Sequence, residues 1–209
     1  ININMKNKLL LLFFLLGVFF PLSAQESEVL ISTSHTSLLL STSQGGELKF
    51  LYYGRKLTDA DVHAIVSTES GSFSAYPVYG LNCPSESALS VQHEDGNMTL
   101  QMEVIGVETT HQEKANLTVI SLKDKVYPFY VKLCYKAYQD VDVIEAWTEI
   151  SHKEKKNVKL NQFASAYLPV RKGNVWLSSL YGAWANEARL VQEPLEPGMK
   201  VIKNKDGVR

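Results

Sequence analysis

Apolar and polar residues alternate along the stretch from Val126 to Ile150, and this two-residue period predicts β-strands. One side of the first half is an apolar row of Phe129, Val131, Leu133, Tyr135 and Ala137. After the polar break at 139–142, a second row contains Ile144, Ala146, Thr148 and Ile150. A strand sorts side chains in this way, whereas a helix does not. We therefore predict an antiparallel hairpin at the centre of a large antiparallel sheet.

Similar alternation recurs from Gln25 to Arg209, where we find no convincing helical period. The Asp95-Gly96 pair is typical of a tight turn, and it predicts a hairpin between 88–93 and 98–107. The buried row of its second strand would be Met98, Leu100, Met102 and Val104. Further strands are predicted over 117–122, 158–168, 174–181 and 189–191. So many short strands favour an all-β fold in which two antiparallel sheets pack as a sandwich, since one open sheet would twist too far.

The N-terminal residues have the pattern of a secretory signal peptide. Met5 is followed by two lysines, an apolar run from Leu9 to Phe20, and small residues up to Ala24. The run is too short to span a membrane comfortably. We expect residues 1–4 to lie upstream of the true start, cleavage after Ala24, and export to the periplasm or the exterior. The remaining residues, 25–209, form one predicted domain.

The charge and the cysteine content of the chain exclude few classes of protein. Lys and Arg number 21 against 22 Asp and Glu, which gives a formal net charge of -1. Such a balance predicts neither a nucleic-acid partner nor a membrane partner. Cys83 and Cys134 are the two cysteines. Export would permit a disulfide between them, and two buried free thiols are the alternative.

Candidate chemistry is sparse in this sequence. The five histidines do not approach metal-ligand spacing with one another or with a cysteine, so we expect no metal site and no cofactor. Asp59 and Asp61 would lie on one side of an extended chain. Glycoside hydrolysis needs two carboxyl groups in different environments, which adjacent exposed positions do not provide. A solvated turn is the favoured interpretation of this pair, and also of Asp140 and Asp142.

Aromatic rings are the other candidates, because sugars pack their apolar C–H faces on flat rings. Trp176, Tyr181 and Trp184 lie close together in the sequence. We expect core and interdomain packing for Trp176, and we expect Trp184 to lie at an interface. Around Trp147, the glutamates at 145 and 149 are expected to solubilise the outer face of the sheet.

Several stretches together resemble the N-terminal domain of glycoside hydrolase family 36, the α-galactosidases. The resemblance is carried by Asp142–Ile150, Val158–Pro169 and Leu180–Arg189, with Leu51–Lys56 before them and Lys205–Arg209 after them. It implies an antiparallel β-supersandwich, like that of galactose mutarotase, over residues 25–209. It also implies a (β/α)8 catalytic barrel beyond Arg209, and hydrolysis of terminal α-linked galactose with retention of configuration.

The resemblance assigns the catalytic aspartates to the barrel, so it implies no catalytic residue within this chain. The chain would pack against its own C-terminal barrel and meet galactosides only through the complete enzyme. In oligomeric members, part of this domain reaches the active site of a neighbouring subunit. We take Asp59 and Asp61, in the loop after Lys56, as candidate substrate-binding residues in such a homo-oligomer. Cys83 and Ser85 stand where many relatives carry an acidic and a basic residue, which puts a polar site there in doubt.

Two other interpretations are open on the sequence alone. One is a self-contained sandwich that binds glycans or serves in adhesion, without any catalytic continuation. The other is the N-terminal sandwich of a different α-glycosidase. The encoded sequence after Arg209 separates the first from the α-galactosidase, and assays on α-galactosides and α-glucosides separate the second.

Overall fold

Strands dominate the computed structural model, which describes residues 27–43, 45–68, 73–80, 86–170, 173–183, 185–196, 198 and 200–202. The chain divides into two compact units, one up to Leu168 and one from Pro169 onward. We call the described residues 27–168 the sandwich unit and those from 169 the hairpin unit. Each is described by itself below.

Ten strands of the described residues belong to the sandwich unit. They are β1 (Ser27–Ser32), β2 (Thr36–Thr42), β3 (Leu48–Arg55), β4 (Phe73–Ser74), β5 (Leu89–Gln92), β6 (Met102–His111), β7 (Ala115–Asp124), β8 (Phe129–Tyr138), β9 (Val143–His152) and β10 (Lys159–Phe163). One helix, α1 (Asp59–Thr68), follows β3. The hairpin unit contains β11 (Trp176–Ala183) and β12 (Asn186–Pro194).

Two four-stranded antiparallel sheets form the sandwich unit. The first has the order β1-β2-β3-β4 and the second has the order β6-β7-β8-β9, while β5 pairs with β10. Both sheets supply the main core, through Leu40 and Phe50 of the first and Phe129 and Leu133 of the second. Burial of apolar area between stacked sheets is the main stabilising term of such a fold. The predicted all-β antiparallel sandwich is confirmed.

The predicted hairpin of β8 and β9 is present with the expected register. Leu133 lies opposite Thr148, and the row predicted to be buried on β8 is buried throughout. The row on β9 is only partly buried against the same core. In the described part of the chain β9 is an edge strand, because the other side of β8 pairs with β7. The hairpin therefore does not form the centre of its sheet, and that prediction is wrong.

Helix α1 contradicts the expectation that no helix follows Gln25. Its apolar residues recur at the i, i+3 and i+4 positions of a helix face, as Val62, Ile65 and Val66. This face packs on Leu39 and Leu51 of the first sheet. The first sheet is consequently covered on both sides, and nearly every residue of β2 is buried.

The Asp95-Gly96 turn forms, but the hairpin predicted around it does not. His93 N donates to Asn97 O at 2.8 Å, and Gly96 adopts a φ of 89° that favours glycine. The flanking strands nevertheless pair elsewhere, β5 with β10 and β6 with β7. Of the predicted buried row, Leu100 is fully buried, whereas Met98 and the residues of β6 are only partly so. A turn sequence fixes local geometry, whereas burial selects the partner strand.

A buried polar cluster holds the same turn against residues 152–157. The His93 ring stacks on Tyr127 with the ring centroids 3.7 Å apart. His93 Nδ1 lies 2.8 Å from Glu154 Oε1, and both side chains are almost entirely shielded from solvent. Tyr127 in turn donates its hydroxyl to Asp95 at 2.7 Å. These contacts join two turns that lie far apart in the sequence.

The hairpin unit exposes an apolar face. Leu180 lies opposite Leu190, so both project to the same side of the hairpin as Trp176. Their exposed fractions are 66%, 58% and 62%, respectively. Packing of Trp176 in a core is contradicted, because its strand pairs only with β12 in the described residues and its side chain is exposed. Packing of Trp176 between domains stays a prediction.

Several predictions concern residues outside the described ranges, and they remain predictions. They are the signal peptide over 1–24, the positions of Cys83, Ser85 and Trp184, and the segment 205–209. Cys134 is a buried free thiol. Within the described ranges, no helix combines the length and the apolar character needed to cross a membrane.

Asp124 is a buried carboxylate that organises the chain reversal between β7 and β8. It is 1% exposed and accepts hydrogen bonds from Gln101 N at 2.6 Å and from Val126 N and Tyr127 N at 2.8 Å. Removing one acceptor would leave three backbone donors without a partner, and each buried orphan donor costs free energy. Asp124 is not among the residues for which the sequence pattern predicts a role.

We predict that Asp124→Ala lowers the free energy of unfolding by about 3 kcal/mol or more, because those donors lose their acceptor. Denaturant unfolding followed by circular dichroism measures the change. The matched control is Asp140→Ala at an exposed turn position, expected to shift stability by less than about 0.5 kcal/mol. Equal effects of the two substitutions would contradict the role assigned to Asp124.

Candidate functional site

Asp59 and Asp61, the predicted substrate-binding pair, lie in the first turn of α1 rather than in a loop. Asp61 Oδ2 accepts from Thr58 N at 2.9 Å and from Thr58 Oγ1 at 2.7 Å. Asp61 N donates back to Thr58 Oγ1 at 3.3 Å. This reciprocal arrangement is a capping box, which satisfies donors that the start of a helix leaves unpaired. The expectation of an extended chain or a solvated turn at this pair is wrong.

The capping box also fixes the charge state of Asp61. The hydrogen bonds from Thr58 hold the pKa of the Asp61 carboxyl below its usual value. The N-terminal end of a helix favours negative charge as well. Asp61 is therefore an ionised acceptor at neutral pH and cannot serve as a general acid. Asp59 is exposed in the same turn, so the pair forms an acidic surface that can accept hydrogen bonds from hydroxyl groups.

A sequence signal for this helix was available but short. Thr58 and Asp61 have the spacing of a capping box, and the apolar period of α1 begins immediately afterwards at Val62. Only three apolar residues follow that period, so the helical pattern is weak. The binding of substrate by Asp59 and Asp61 stays a prediction.

Asp142 is also engaged in structure, contrary to the expectation of a solvated turn. Its carboxylate accepts hydrogen bonds from the Thr33 hydroxyl, from Thr36 Oγ1 at 3.2 Å and from His35 N at 3.3 Å. These bonds, the one from Thr33 foremost, lower the pKa of Asp142. The residue has a φ of 52° in the turn between β8 and β9. Asp142 thus ties this turn to the turn between β1 and β2.

A cavity of about 170 Å³ lies within the sandwich unit. It is lined by Leu38, Leu40, Phe50, Tyr53, Ala75, Tyr135, Ile144, Ala146, Ala166, Tyr167 and Leu168. Burial raises the pKa of Tyr135 to about 12, so its hydroxyl stays neutral. Sugar recognition requires several convergent polar groups in addition to a ring surface. This lining is largely apolar, and it does not fit a saccharide.

Comparison with known proteins decides the family. Residues 46–209 match the model of the glycosyl hydrolase family 36 N-terminal domain. The chain belongs to this family. The resemblance inferred from the sequence is confirmed, and the family 36 N-terminal domain accounts for the two packed sheets described above.

Named relatives of this family 36 N-terminal domain are α-galactosidases. α-Galactosidase Mel36A of Lactobacillus acidophilus is 28% identical over 99 residues, which cover 47% of this chain and 14% of the relative. A variant of the family 36 α-galactosidase AgaA from Geobacillus stearothermophilus, solved with 1-deoxygalactonojirimycin, superposes with a TM-score of 0.75 at 20% identity. That match covers 87% of this chain and 30% of the AgaA chain.

A further solved structure gives the same result. The α-galactosidase from Lactobacillus brevis matches with a TM-score of 0.72 and 20% identity, over 85% of this chain and 28% of its own. At such identities the likeness establishes the fold. The family 36 N-terminal domain described here spans less than a third of the length of these relatives.

We predict that the pKa of Asp61 rises toward the ordinary carboxyl value in Thr58→Ala, because that substitution removes the hydroxyl donor. The cap contributes stability that is fully present above the ordinary carboxyl pKa of about 4 and is lost as the pH falls through the lowered value. Carboxyl carbon shifts followed by NMR across an acid titration measure the change.

The matched control for this titration is Ser67→Ala, which removes a hydroxyl from the other end of α1, where it bonds Ala64 O. Asp61 should titrate in this variant as it does in the parent chain. An unchanged Asp61 titration in Thr58→Ala would contradict the capping box.

Proposed function

We propose that this chain is the N-terminal accessory domain of an α-galactosidase, a retaining hydrolase of terminal α-galactosyl residues. In this proposal the chain itself supplies no catalytic residue. The match of residues 46–209 to the family model carries the proposal. The names of the relatives, which are α-galactosidases, support the choice of substrate.

The state of the candidate acids agrees with an accessory role. A retaining glycosidase needs one carboxylic acid that is protonated and one carboxylate that attacks. Asp61 and Asp142 both have lowered pKa values and both are occupied by hydrogen bonds within the chain. Neither can hold the proton that a leaving group requires.

The exposed face of the hairpin unit is the proposed contact with a catalytic domain. Leu180 and Leu190 lie opposite each other, and Trp176 lies on the same side beyond the Ser178–Gln192 pair. Exposed large apolar side chains grouped on one face mark an interaction site. The relatives are longer chains of which this domain is a part. A catalytic domain of the same polypeptide is therefore the partner that we assign to this face.

The decisive experiment assays the product of the complete natural gene on α-galactosides and α-glucosides. We expect hydrolysis of terminal α-galactosyl residues and none by the 209-residue chain alone. If the product is exported, as the N-terminal pattern predicts, its mature sequence begins at Gln25. Preference for α-glucosides would favour another α-glycosidase. A gene without a catalytic domain would favour a stand-alone glycan-binding module.

The same assay addresses the acidic surface at the start of α1. We propose that the complete enzyme is a homo-oligomer in which Asp59 approaches the active site of a neighbouring subunit. Asp59→Asn should then raise KM several-fold with little change in kcat, since it removes binding charge and not a reacting group. Asp140→Asn, at another exposed aspartate, is the control. Equal KM values for both variants would show that Asp59 does not contribute to substrate binding.

For the hairpin unit we predict that Leu180→Gln with Leu190→Gln reduces the binding of an apolar-surface dye by the 209-residue chain. In the complete enzyme the same pair should lower the thermal midpoint by several degrees, because an apolar contact becomes polar. Val126→Gln is the control, since Val126 is also exposed but lies in the sandwich unit. A midpoint in the complete enzyme that does not change would contradict the proposed contact.

A further inference from the structure

The outer face of the second sheet carries a compact group of polar and aromatic side chains around Trp147. Cross-strand register places Trp147 opposite Cys134, Glu149 opposite Lys132, and Glu145 opposite Lys136. Residues directly opposite in an antiparallel pair project to the same side of the sheet. We call these six residues the Trp147 surface.

Trp147 lies opposite a buried thiol on the neighbouring strand. Cys134 belongs to the outward row of β8, yet it is only 2% exposed. Its Sγ lies 3.9 Å from Glu149 Oε1, and Trp147 Nε1 donates to the same oxygen at 3.3 Å. The indole nitrogen and the thiol therefore share one carboxylate oxygen. Trp147 itself remains partly exposed, so part of its surface is open to solvent.

Hydrogen-bonding groups surround this ring on both strands. Glu145 and Glu149 stand two residues before and after Trp147, so their Cα atoms lie about 7 Å along β9 in each direction. Lys132 and Lys136 occupy the matching positions on β8. Tyr138 extends the group, donating its hydroxyl to Glu145 at 3.0 Å and lying under Lys136 Nζ, which is 5.0 Å from the ring centroid.

The charges of the Trp147 surface cancel, because two carboxylates face two ammonium groups. A balanced surface gives no electrostatic preference to a nucleic acid, an acidic peptide or a basic one. It does match a neutral ligand in which every hydroxyl group is both a donor and an acceptor. A flat apolar ring with such groups beside it has the chemistry that recognises a sugar: C–H groups stack on the ring, and hydroxyls bond the rim.

We propose that the Trp147 surface binds a terminal galactosyl residue of an oligosaccharide, at a site separate from the reacting centre. The axial hydroxyl of galactose leaves its other face rich in C–H groups, and that face can stack on the exposed part of the indole. In the described residues β9 is an edge strand, so the rest of an oligosaccharide can extend past the sheet. Galactose as the sugar rests on the proposed function, whereas the binding surface rests on the geometry alone.

The test uses the full 209-residue chain, with raffinose as the galactosyl probe and maltotriose as the glucosyl control. Saturation-transfer NMR reports binding through the ligand protons and does not depend on tryptophan as a reporter. We expect saturable raffinose binding with a Kd on the order of 1 mM, as for a shallow site that buries one ring. Maltotriose should bind at least several-fold more weakly.

Variants separate a binding role from a structural one. Trp147→Ala should abolish the raffinose signal, Trp147→Tyr should retain part of it, and Glu149→Gln should weaken it several-fold while the indole remains. Trp176→Ala removes another exposed tryptophan, in the hairpin unit, and should bind raffinose as the parent chain does. Circular dichroism confirms that each variant is folded.

Absence of raffinose binding by the parent chain would overturn the proposal, as would an unchanged signal in Trp147→Ala. Equal binding of both trisaccharides would overturn the assignment of galactose. A dimer in light scattering that Trp147→Ala dissociates, without any sugar signal, would assign the surface to contact between chains. If the complete enzyme hydrolyses α-galactosides while the parent chain binds no raffinose, the proposed function stands and this surface fails alone.

Discussion

The burial of one face of β8 between the two sheets is the constraint on which the rest of the sandwich unit depends. Phe129, Val131 and Leu133 are almost completely buried, and the backbone of their strand is paired on both sides. A shift of one residue in register would turn this row outward, so the register is strongly specified. The same register fixes the outer face, because it sets Cys134 opposite Trp147 and places a lysine opposite each neighbouring glutamate. Core packing thus determines a surface that takes no part in the core.

Carboxylates fasten the chain at its reversals. Asp124 accepts backbone donors after β7, Asp142 joins two turns, and Asp61 caps α1. The carboxylate oxygens of these acids accept hydrogen bonds from donors of the chain itself. For Asp61 and Asp142, these hydrogen bonds lower the pKa of the carboxyl group. The stabilising effect of Asp61 and Asp142 is present above the ordinary carboxyl pKa and is lost as the pH falls through their lowered pKa values. A carboxylate whose oxygens already accept hydrogen bonds within the chain is poorly suited to proton transfer.

Alternation predicted the strands better than it predicted their partners. The buried row of β8 follows from the sequence because it needs only the two-residue period. The pairing of β5 with β10 does not follow, because it joins segments about seventy residues apart, whereas the Asp95-Gly96 signal is local. The spacing of Asp59 and Asp61 identifies an acidic pair but predicts an extended backbone for it, because the apolar period of α1 is too short to indicate a helix clearly. The contacts of Asp142 lie 106 to 109 residues away, beyond the reach of any local pattern.

The two faces of the second sheet also explain how the proposed binding surface can arise in a domain of this kind. The inner face is closely packed, so a substitution there disturbs the fold. On the outer face, Trp147 and its neighbours form hydrogen bonds between side chains, such as that from Trp147 Nε1 to Glu149 Oε1. Such residues can change without loss of the core, while the rigid sheet still holds their side chains in fixed positions. On such a surface the strands hold the side chains in position, and the side chains make the contacts with a ligand. No pocket inside the sandwich is needed.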